Sequence, residues 1–412
     1  MGIGFRKMMN NCDKKIKVLF DGQLLAKAFM QKQTGIFRVC DEVFKRLAER
    51  EDIELYFLMT NKKGNPEQYL KSRGFDRLIS NIVRMPKLLK SSKHHSLYRK
   101  IFYYIYKFTL PLMYGKKLKQ FDWYLSAYAG IPPVVKKSGL KSACVVHDII
   151  PLLYPNYAKV YNLSRKSVEN YINDISADIV FFVSKSARDD FLRFRGYFDC
   201  NKTRIMYLGV DNIFSPQSKS DIEKSLKKYN IPSKPYLLCV SEANPRKNFA
   251  HVIRAFIDYL EKSNDKDLNL VIVGKKLPNY DYTKDGGDLE KYKNRVIITG
   301  YVDDADLPSL YSGATIFMYP SLYEGFGLPV LEAMQCGVPV ITADNSSLPE
   351  VGGDAVAYVS GFDVEETSQM IQKVLTDKEF ANSLIKKSLE RAKFFSWDKT
   401  VEIMVKAIKS NL

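Results

Sequence analysis

The sequence predicts an α/β protein of two doubly wound domains, and three observations carry that prediction. Short apolar strands alternate with amphipathic helices along the chain. The alternation opens twice, at Ile16 to Asp21 and again at Tyr236 to Val240, each time as strand, loop and helix. At 412 residues, 46% of them hydrophobic, the chain exceeds what one core usually serves and has apolar material for two. The polar, lysine-rich stretch after Gly209-Val210-Asp211, up to Pro235, reads as the join. This gives an N-terminal domain over 1–211 and a second over 212–395, with a last helix over 396–412.

In the first half, Ile16 to Asp21, Ile53 to Leu58, Asp122 to Ala127 and Ala143 to Val146 read as parallel strands. The loop after the first ends at Thr34-Gly35, and Ile36, Val39, Cys40, Val43, Phe44 and Leu47 then fall at helical spacing. Gly35 therefore sits at a helix N-terminus facing whatever binds above the sheet. Ala143 to Val146 ends in His147-Asp148, at the carboxyl edge where open α/β sheets hold their ligands. His147 there either bonds a substrate or is fastened to a neighbouring carbonyl. His94, His95 and His251 fit core or surface roles. A helix over Ser164 to Ala177, a strand over Ile179 to Val183, a helix capped by Ser184 and a strand over Arg204 to Leu208 complete the half.

In the second half, Tyr236 to Val240 runs into SEANPRKN and a helix from about Asn248 to Leu260. Arg246 and Lys247 thus stand side by side at a strand's carboxyl end, as a diphosphate grip or as a solvated basic turn. Strands follow at Leu268 to Val273 and Val296 to Thr299, then a helix at Asp306 to Ser312. The next stretch, Tyr319 to Ala333 (YPSLYEGFGLPVLEA), follows a short strand over Ala314 to Tyr319. Gly325 and Gly327 keep Glu324 in a loop, Pro329 suits the first helical position, and Glu332 lies about one turn into the helix. A strand end, a glycine loop and a helix N-terminus offer free N–H groups and a positive dipole end to an anion or to sugar hydroxyls. Beyond come a strand over Val338 to Thr342, a turn at LPEVGG, a strand over Val356 to Val359, and helices over Asp363 to Lys393. From Trp397 a final helix carries Val401, Met404, Val405 and Ile408 on one face.

Six scattered cysteines, with no CxxC pair, fit reduced thiols in a cytoplasm. The start lacks the apolar run of a signal peptide, and no window reaches the ~18 apolar residues of a spanning helix, so a soluble or peripheral protein is expected. The net charge of +17 is concentrated: Asn81 to Gln120 holds ten Lys or Arg residues and no Asp or Glu. Inside it, IFYYIYKFTLPLMY (Ile101 to Tyr114) is aromatic and apolar, so the segment from 84 to 119 reads as a surface for an anionic membrane or as a buried helix with a basic rim. A nucleic-acid partner is not expected, and no metal site is expected at the cleft loops, where no Asp-x-Asp stands.

Two facing α/β domains would form a cleft holding two carboxylates, two adjacent cations, glycine loops and one His. Transfer of a sugar from a nucleoside diphosphate calls for these parts and for no protein nucleophile. EGFGLPVLEAMQCGVPVI (Glu324 to Ile341) and SSLPEVGGDAV (Ser346 to Val356) resemble the signature of the retaining glycosyltransferases of family four, which have the GT-B fold. TGIFR (Thr34 to Arg38), VVHDIIPLLYP (Val145 to Pro155), FVSKSARDD (Phe182 to Asp190), LGVD (Leu208 to Asp211), PRKN (Pro245 to Asn248) and TGYVDDADLPSLY (Thr299 to Tyr311) extend the resemblance, in order, over most of the chain.

The resemblance implies a role for each matching position. Glu332 would hold the donor's ribose hydroxyls, and Arg246 and Lys247 its diphosphate. Glu324, with the N–H groups of Phe326, Gly327 and Leu328, would grip the hexose and nearby phosphate. His147 would touch the transferred sugar, Gly35 would let backbone approach the phosphates, and the region after Gly300, including Val302, would lie against the base. The final helix would return to the N-terminal domain. Many members carry Gly-Arg several residues before the phosphate lysine; here Ser241 and Glu242 stand there, and the arginine adjoins the lysine instead. Also implied are retention by front-face displacement without a cofactor, a hexose donor with GDP-mannose first and UDP-hexoses next, and a glycan or lipid-linked acceptor. The setting would be O-antigen or capsule synthesis at the inner face of a bacterial membrane. A GT-B sugar-nucleotide epimerase would need no acceptor, and an idle basic adaptor for membrane or RNA would tolerate loss of Glu324 and Lys247.

Overall fold

Buried apolar strands build two parallel sheets, and the order of their strands decides which loops meet. The structure, a computed structural model, describes residues 15–30, 34–60, 64–85, 114–128, 130–154, 169, 172–173, 175–241, 244–274 and 289–412. The first sheet holds β1 (Ile16–Asp21), β2 (Ile53–Met59), β3 (Ile82–Arg84), β4 (Trp123–Ser126), β5 (Lys141–Val146), β6 (Ile179–Phe182) and β7 (Thr203–Ile205). The second holds β8 (Tyr236–Val240), β9 (Asn269–Val273), β10 (Val296–Gly300), β11 (Ile316–Tyr319), β12 (Val340–Ala343) and β13 (Ala357–Val359). Their orders are β3-β2-β1-β4-β5-β6-β7 and β10-β9-β8-β11-β12-β13, with parallel pairing throughout. Each sheet is wound outward first one way and then the other. The switch points lie between β1 and β4 and between β8 and β11, where such sheets open a crevice at their carboxyl ends.

The helices that bear on the site are α1 (Gly35–Glu49), α2 (Pro66–Ser72), α3 (Lys185–Arg195), α4 (Phe249–Ser263), α5 (Leu307–Gly313), α6 (Leu328–Gln335), α7 (Leu348–Gly352), α8 (Val364–Thr376), α9 (Lys378–Ala392) and α10 (Trp397–Lys409). Thr34 and Ser184 cap α1 and α3, accepting from Phe37 N at 3.3 Å and Ala187 N at 3.0 Å. On α10, Val401, Met404, Val405 and Ile408 are buried. That helix lies against α1, with Arg46 to Asp398 at 2.8 Å, Arg50 to Glu402 at 2.8 Å and Thr400 Oγ1 donating to Tyr207 O at 2.6 Å. A Cβ added at Gly209 would stand 2.2 Å from Trp397 N, so only glycine admits the returning chain there.

Several expectations need correction. LPEVGG is not a turn but the whole of the short helix α7 and its cap Gly353, because Ser347 and Pro349 start one turn of helix before Gly353 reverses the chain. Pro329 takes the second position of α6, since Gly327 at φ +108 is its cap and Leu328 its first residue; the missing N–H is one of the orphan donors at either place. The strand expected over Arg204 to Leu208 lies earlier, at β7, where Thr203, Arg204 and Ile205 pair with β6. The helix α2 and the edge strand β3 went unread, being too short for periodicity to show. Much of the helix expected over Ser164 to Ala177, and most of the basic segment, lie outside the described residues.

Met404 is fully buried where α10 meets the N-terminal domain. Met404→Ala is expected to destabilise the chain by about 2–5 kcal/mol through lost transfer energy and a cavity, read as a lowered midpoint in denaturant unfolding.

Candidate functional site

The second sheet's switch point brings the turn after β8 beside the loop after β11. Pro245–Lys247 forms a single 3-10 turn that ends at Asn248, held in the left-handed region at φ +60. The Asn248 amide donates to Pro320 O at 3.1 Å and to Gly361 O at 2.7 Å. Leu322 N donates to Arg246 O at 2.9 Å. The two loops are thus laced together by the Asn248 side chain and by backbone before any charge is counted.

Glu324 is the centre of this lacing. Its Oε1 accepts from Arg246 Nη1 at 2.7 Å, Lys247 Nζ at 2.7 Å, Ser321 Oγ at 2.6 Å and the Tyr319 hydroxyl at 3.0 Å. Lys247 Nζ also meets the Tyr319 oxygen at 2.5 Å. Burial pushes the Glu324 carboxyl up, but Arg246 and Lys247 more than offset it and hold it down to about 2. For Lys247, burial wins over the attraction of Glu324, Arg246 adds repulsion, and the ammonium falls to about 8. Burial outweighs Glu324 and the weaker pull of Asp148 at Lys247, so the lysine is the cation whose hold on its proton is loosened.

The serines of SSLPEVGG hold the glycine loop from behind. Ser346 Oγ accepts from Glu324 N at 2.9 Å, and Ser347 Oγ donates to Glu324 O at 2.9 Å and Phe326 O at 2.8 Å. Phe326 turns inward against Phe395 at 5.9 Å, so its side chain is structural and only its main chain faces the loop. Gly327 caps α6, and Leu328 opens it.

Glu332, buried on α6, accepts from the Tyr311 hydroxyl at 3.0 Å and from Arg38 of α1 in the other domain. Gly35 lies one turn earlier in α1, exposed and with open space where a Cβ would stand. Val302 is buried in the core, and its exposed neighbour at this strand end is Tyr301.

His147 takes the second of its two expected states. Its Nε2 is 2.9 Å from Ala127 O, and burial lowers its pKa, which keeps the ring neutral. The His147-Asp148 backbone nevertheless reaches the site: a Cβ at Gly325 would stand 2.4 Å from His147 O. Arg246 and Glu324 act on the Asp148 carboxyl, which burial raises. Two further contacts cross the cleft. Ser184 Oγ donates to Gly325 O at 2.7 Å, and the Glu350 carboxylate accepts from the N–H groups of Lys185 and Ser186, each at 2.7 Å. A carboxylate from one domain thereby caps the N-terminus of α3 in the other.

The structure therefore gathers Arg246, Lys247 and Glu324 into one cluster, puts Glu332 in a second, and sets His147 against the glycine loop. Arg38, Asp148, Tyr311, Tyr319 and Ser321 belong to the same constellation without having been picked out. Of these, Arg38, Asp148 and Tyr311 stood inside matching motifs, and Tyr319 and Ser321 opened the glycine-loop stretch itself, which was the available signal.

Residues 221–391 match the family model described as glycosyl transferases group 1. The chain is a glycosyltransferase with a group 1 domain. It is 28% identical over 385 residues to O-antigen chain mannosyltransferase B of Escherichia coli, covering 91% of this chain and 96% of that one. It is 30% identical over 279 residues to the serotype-specific mannosyltransferase WbdA of Escherichia coli, covering 64% of this chain; the match spans 33% of WbdA's length. Among solved structures, Anabaena Alr3699/HepE with UDP and glucose superposes with a TM-score of 0.69 at 16% identity, over 96% of this chain and all of that one. WaaG, a glycosyltransferase involved in lipopolysaccharide biosynthesis, gives 0.64 at 16% identity, over 95% and 98%. The glycosyltransferase has the GT-B fold.

With its ammonium near 8, Lys247 is a cation at neutral pH and loses its charge as pH rises. As a diphosphate grip, Lys247 should make binding of a sugar nucleotide, whose phosphates keep a constant charge, level up to about pH 8 and weaker above it, by up to about tenfold per pH unit. Titration of GDP-mannose and UDP-glucose between pH 6.5 and 9 checks this, and in Lys247→Arg the break should vanish.

Proposed function

We propose that this glycosyltransferase moves a hexose from a nucleoside diphosphate sugar to a glycan or lipid-linked acceptor, with retention, in bacterial surface polysaccharide synthesis. The observation that carries the reading is the buried pair of Arg246 and Lys247 held on Glu324 at the switch point, 2.7 Å from one shared oxygen. Two fixed cations at a strand end beside a helix N-terminus suit a departing diphosphate. GDP-mannose is the first donor to test, since the relatives named above are an O-antigen chain mannosyltransferase and a serotype-specific mannosyltransferase; UDP-hexoses come next.

In the proposed reaction the bond from the sugar's anomeric carbon to the phosphate oxygen breaks and a bond to the acceptor oxygen forms on the same face. The acceptor's proton passes to the leaving phosphate, while Arg246 and Lys247 stabilise the charge that develops there. Glu332 orients the ribose, and the neutral His147 supports the glycine loop that faces the sugar. The cations are side chains of the chain itself, so transfer should persist in chelator.

Lys247→Ala should raise the barrier by ~2–4 kcal/mol, by comparison with lost oxyanion donors, and Glu332→Ala should cripple transfer too, both with the fold intact. Radiolabelled sugar transfer alongside circular dichroism measures this, and near-wild-type turnover in either variant defeats the reading.

A peripheral site at the inner face of the membrane belongs to the same proposal. No helix among the described residues is long and apolar enough to cross a membrane. The segment from 84 to 119, with its Lys and Arg residues around aromatic chain, supplies the attraction to anionic lipid. In liposome sedimentation the enzyme should pellet with phosphatidylglycerol vesicles and stay behind with neutral ones; equal partition removes the membrane part.

A further inference from the structure

Arg38 stands in the first turn of α1, the wrong end of a helix for a cation. No acidic residue in that turn compensates it. Its partners all lie outside the N-terminal domain: Glu332 on α6, Asp304 after β10 at 3.5 Å, and the Phe214 ring, whose centroid is 5.7 Å from the guanidinium carbon. The side chain is one quarter exposed, so it lines the cleft without being sealed into a core.

A charge count gives this placement meaning. Arg246 and Lys247 share the single carboxylate of Glu324, which leaves one net positive charge to face a diphosphate bearing two negative charges in a sugar nucleotide. The donor site needs a further cation. The clusters around Glu324 and Glu332 are electrostatic neighbours, since both carboxylates and Arg246 act on the Tyr319 hydroxyl between them. The guanidinium already occupies the Glu332 oxygen that ribose hydroxyls would take under the reading above.

Resting on that reading, we propose that Arg38 is the third diphosphate-binding cation, contributed across the cleft by the N-terminal domain. Ribose hydroxyls and Arg38 are alternatives on Glu332, so nucleotide binding exchanges one for the other and turns the guanidinium to the neighbouring phosphates. The exchange ties α1 to the donor and makes the N-terminal domain part of the nucleotide site. Arg38 is a binding and positioning residue in this account, and no bond to it forms or breaks.

The test separates phosphate from ribose. GDP and guanosine, and UDP and uridine in parallel, are titrated into the full chain by ligand-observed NMR. Arg38→Gln should weaken the better-bound diphosphate by about tenfold or more, the value of a charge-assisted contact, and leave the matching nucleoside as tight as in wild type or tighter. Arg38→Lys, which keeps the charge, should retain diphosphate affinity to within about threefold. Glu332→Gln should weaken nucleoside and diphosphate alike. Unchanged or tighter diphosphate binding in Arg38→Gln overturns the proposal and leaves the donor site standing, with Arg38 only an interdomain ion pair. Equal loss of nucleoside and diphosphate in Arg38→Gln overturns it as well. Unchanged nucleoside binding in Glu332→Gln, or no binding of either diphosphate by wild type, sinks the reading of the site itself.

Discussion

Two cations cannot be buried side by side unless a carboxylate joins them, and this constraint orders the second domain. Arg246 and Lys247 are adjacent in sequence and both largely covered. Leaving either without a counter-charge would cost about 3–5 kcal/mol. Glu324 meets that demand with one oxygen, and Tyr319 and Ser321 donate to the same atom. The carboxylate can sit there only if the chain after β11 turns back at once. Gly327, at φ +108, permits the turn, and the two serines of α7's approach fix it from the other side.

The same loop is where the domains meet. Gly325 presses on the His147 carbonyl, so a side chain there would hold the domains apart. Its own carbonyl accepts from Ser184, the residue that also caps α3, and Glu350 supplies a second cap to that helix from across the cleft. Motifs far apart in sequence thus carry one structural task, which is to align the carboxyl edges of two sheets. Helix α10 adds a strut by covering α1 after the chain has left the second domain. Arg38 sits near the opposite end of the same α1, so the strut and the proposed donor site share one helix.

Most of the architecture was legible because it rests on local signals. Strands such as Ile16–Asp21 and Tyr236–Val240 are apolar runs, and α1 and α10 show their faces in helical spacing. The three-residue edge strand β3 and the short helices α2 and α7 show no comparable apolar run or helical face, and their neighbours in space decide whether such pieces are ordered. The site divides in the same way. Glu324, Glu332, Arg246 and Lys247 could be picked from strand-end loops and glycine punctuation. The pairing of Arg38 with Glu332 spans 294 positions and leaves no local mark. The state of His147 was open for a related reason: whether it bonds a ligand or the Ala127 carbonyl depends on which strand lies beside β5, which is a fact of sheet order.

Two glutamates at a proposed sugar site invite comparison with hydrolases that use one carboxyl as acid and the other as base or nucleophile. Their surroundings here argue otherwise. Held down to about 2, Glu324 has no proton to give near neutral pH, and four donors already crowd its Oε1. Glu332 is engaged on one oxygen by Arg38 and on the other by Tyr311, both cationic or O–H donors that blunt a nucleophile. His147 is neutral, but one ring nitrogen is tied to a carbonyl and its pKa is lowered, so it is a weak base. With carboxylates and imidazole each committed to holding something, the groups poised to respond to new charge are the cations beside Glu324. A site built this way can stabilise a leaving group that carries its own charge and its own base. Under the proposed reading the diphosphate supplies both, and the protein's part is to hold it, the ribose and the sugar in one line across the cleft.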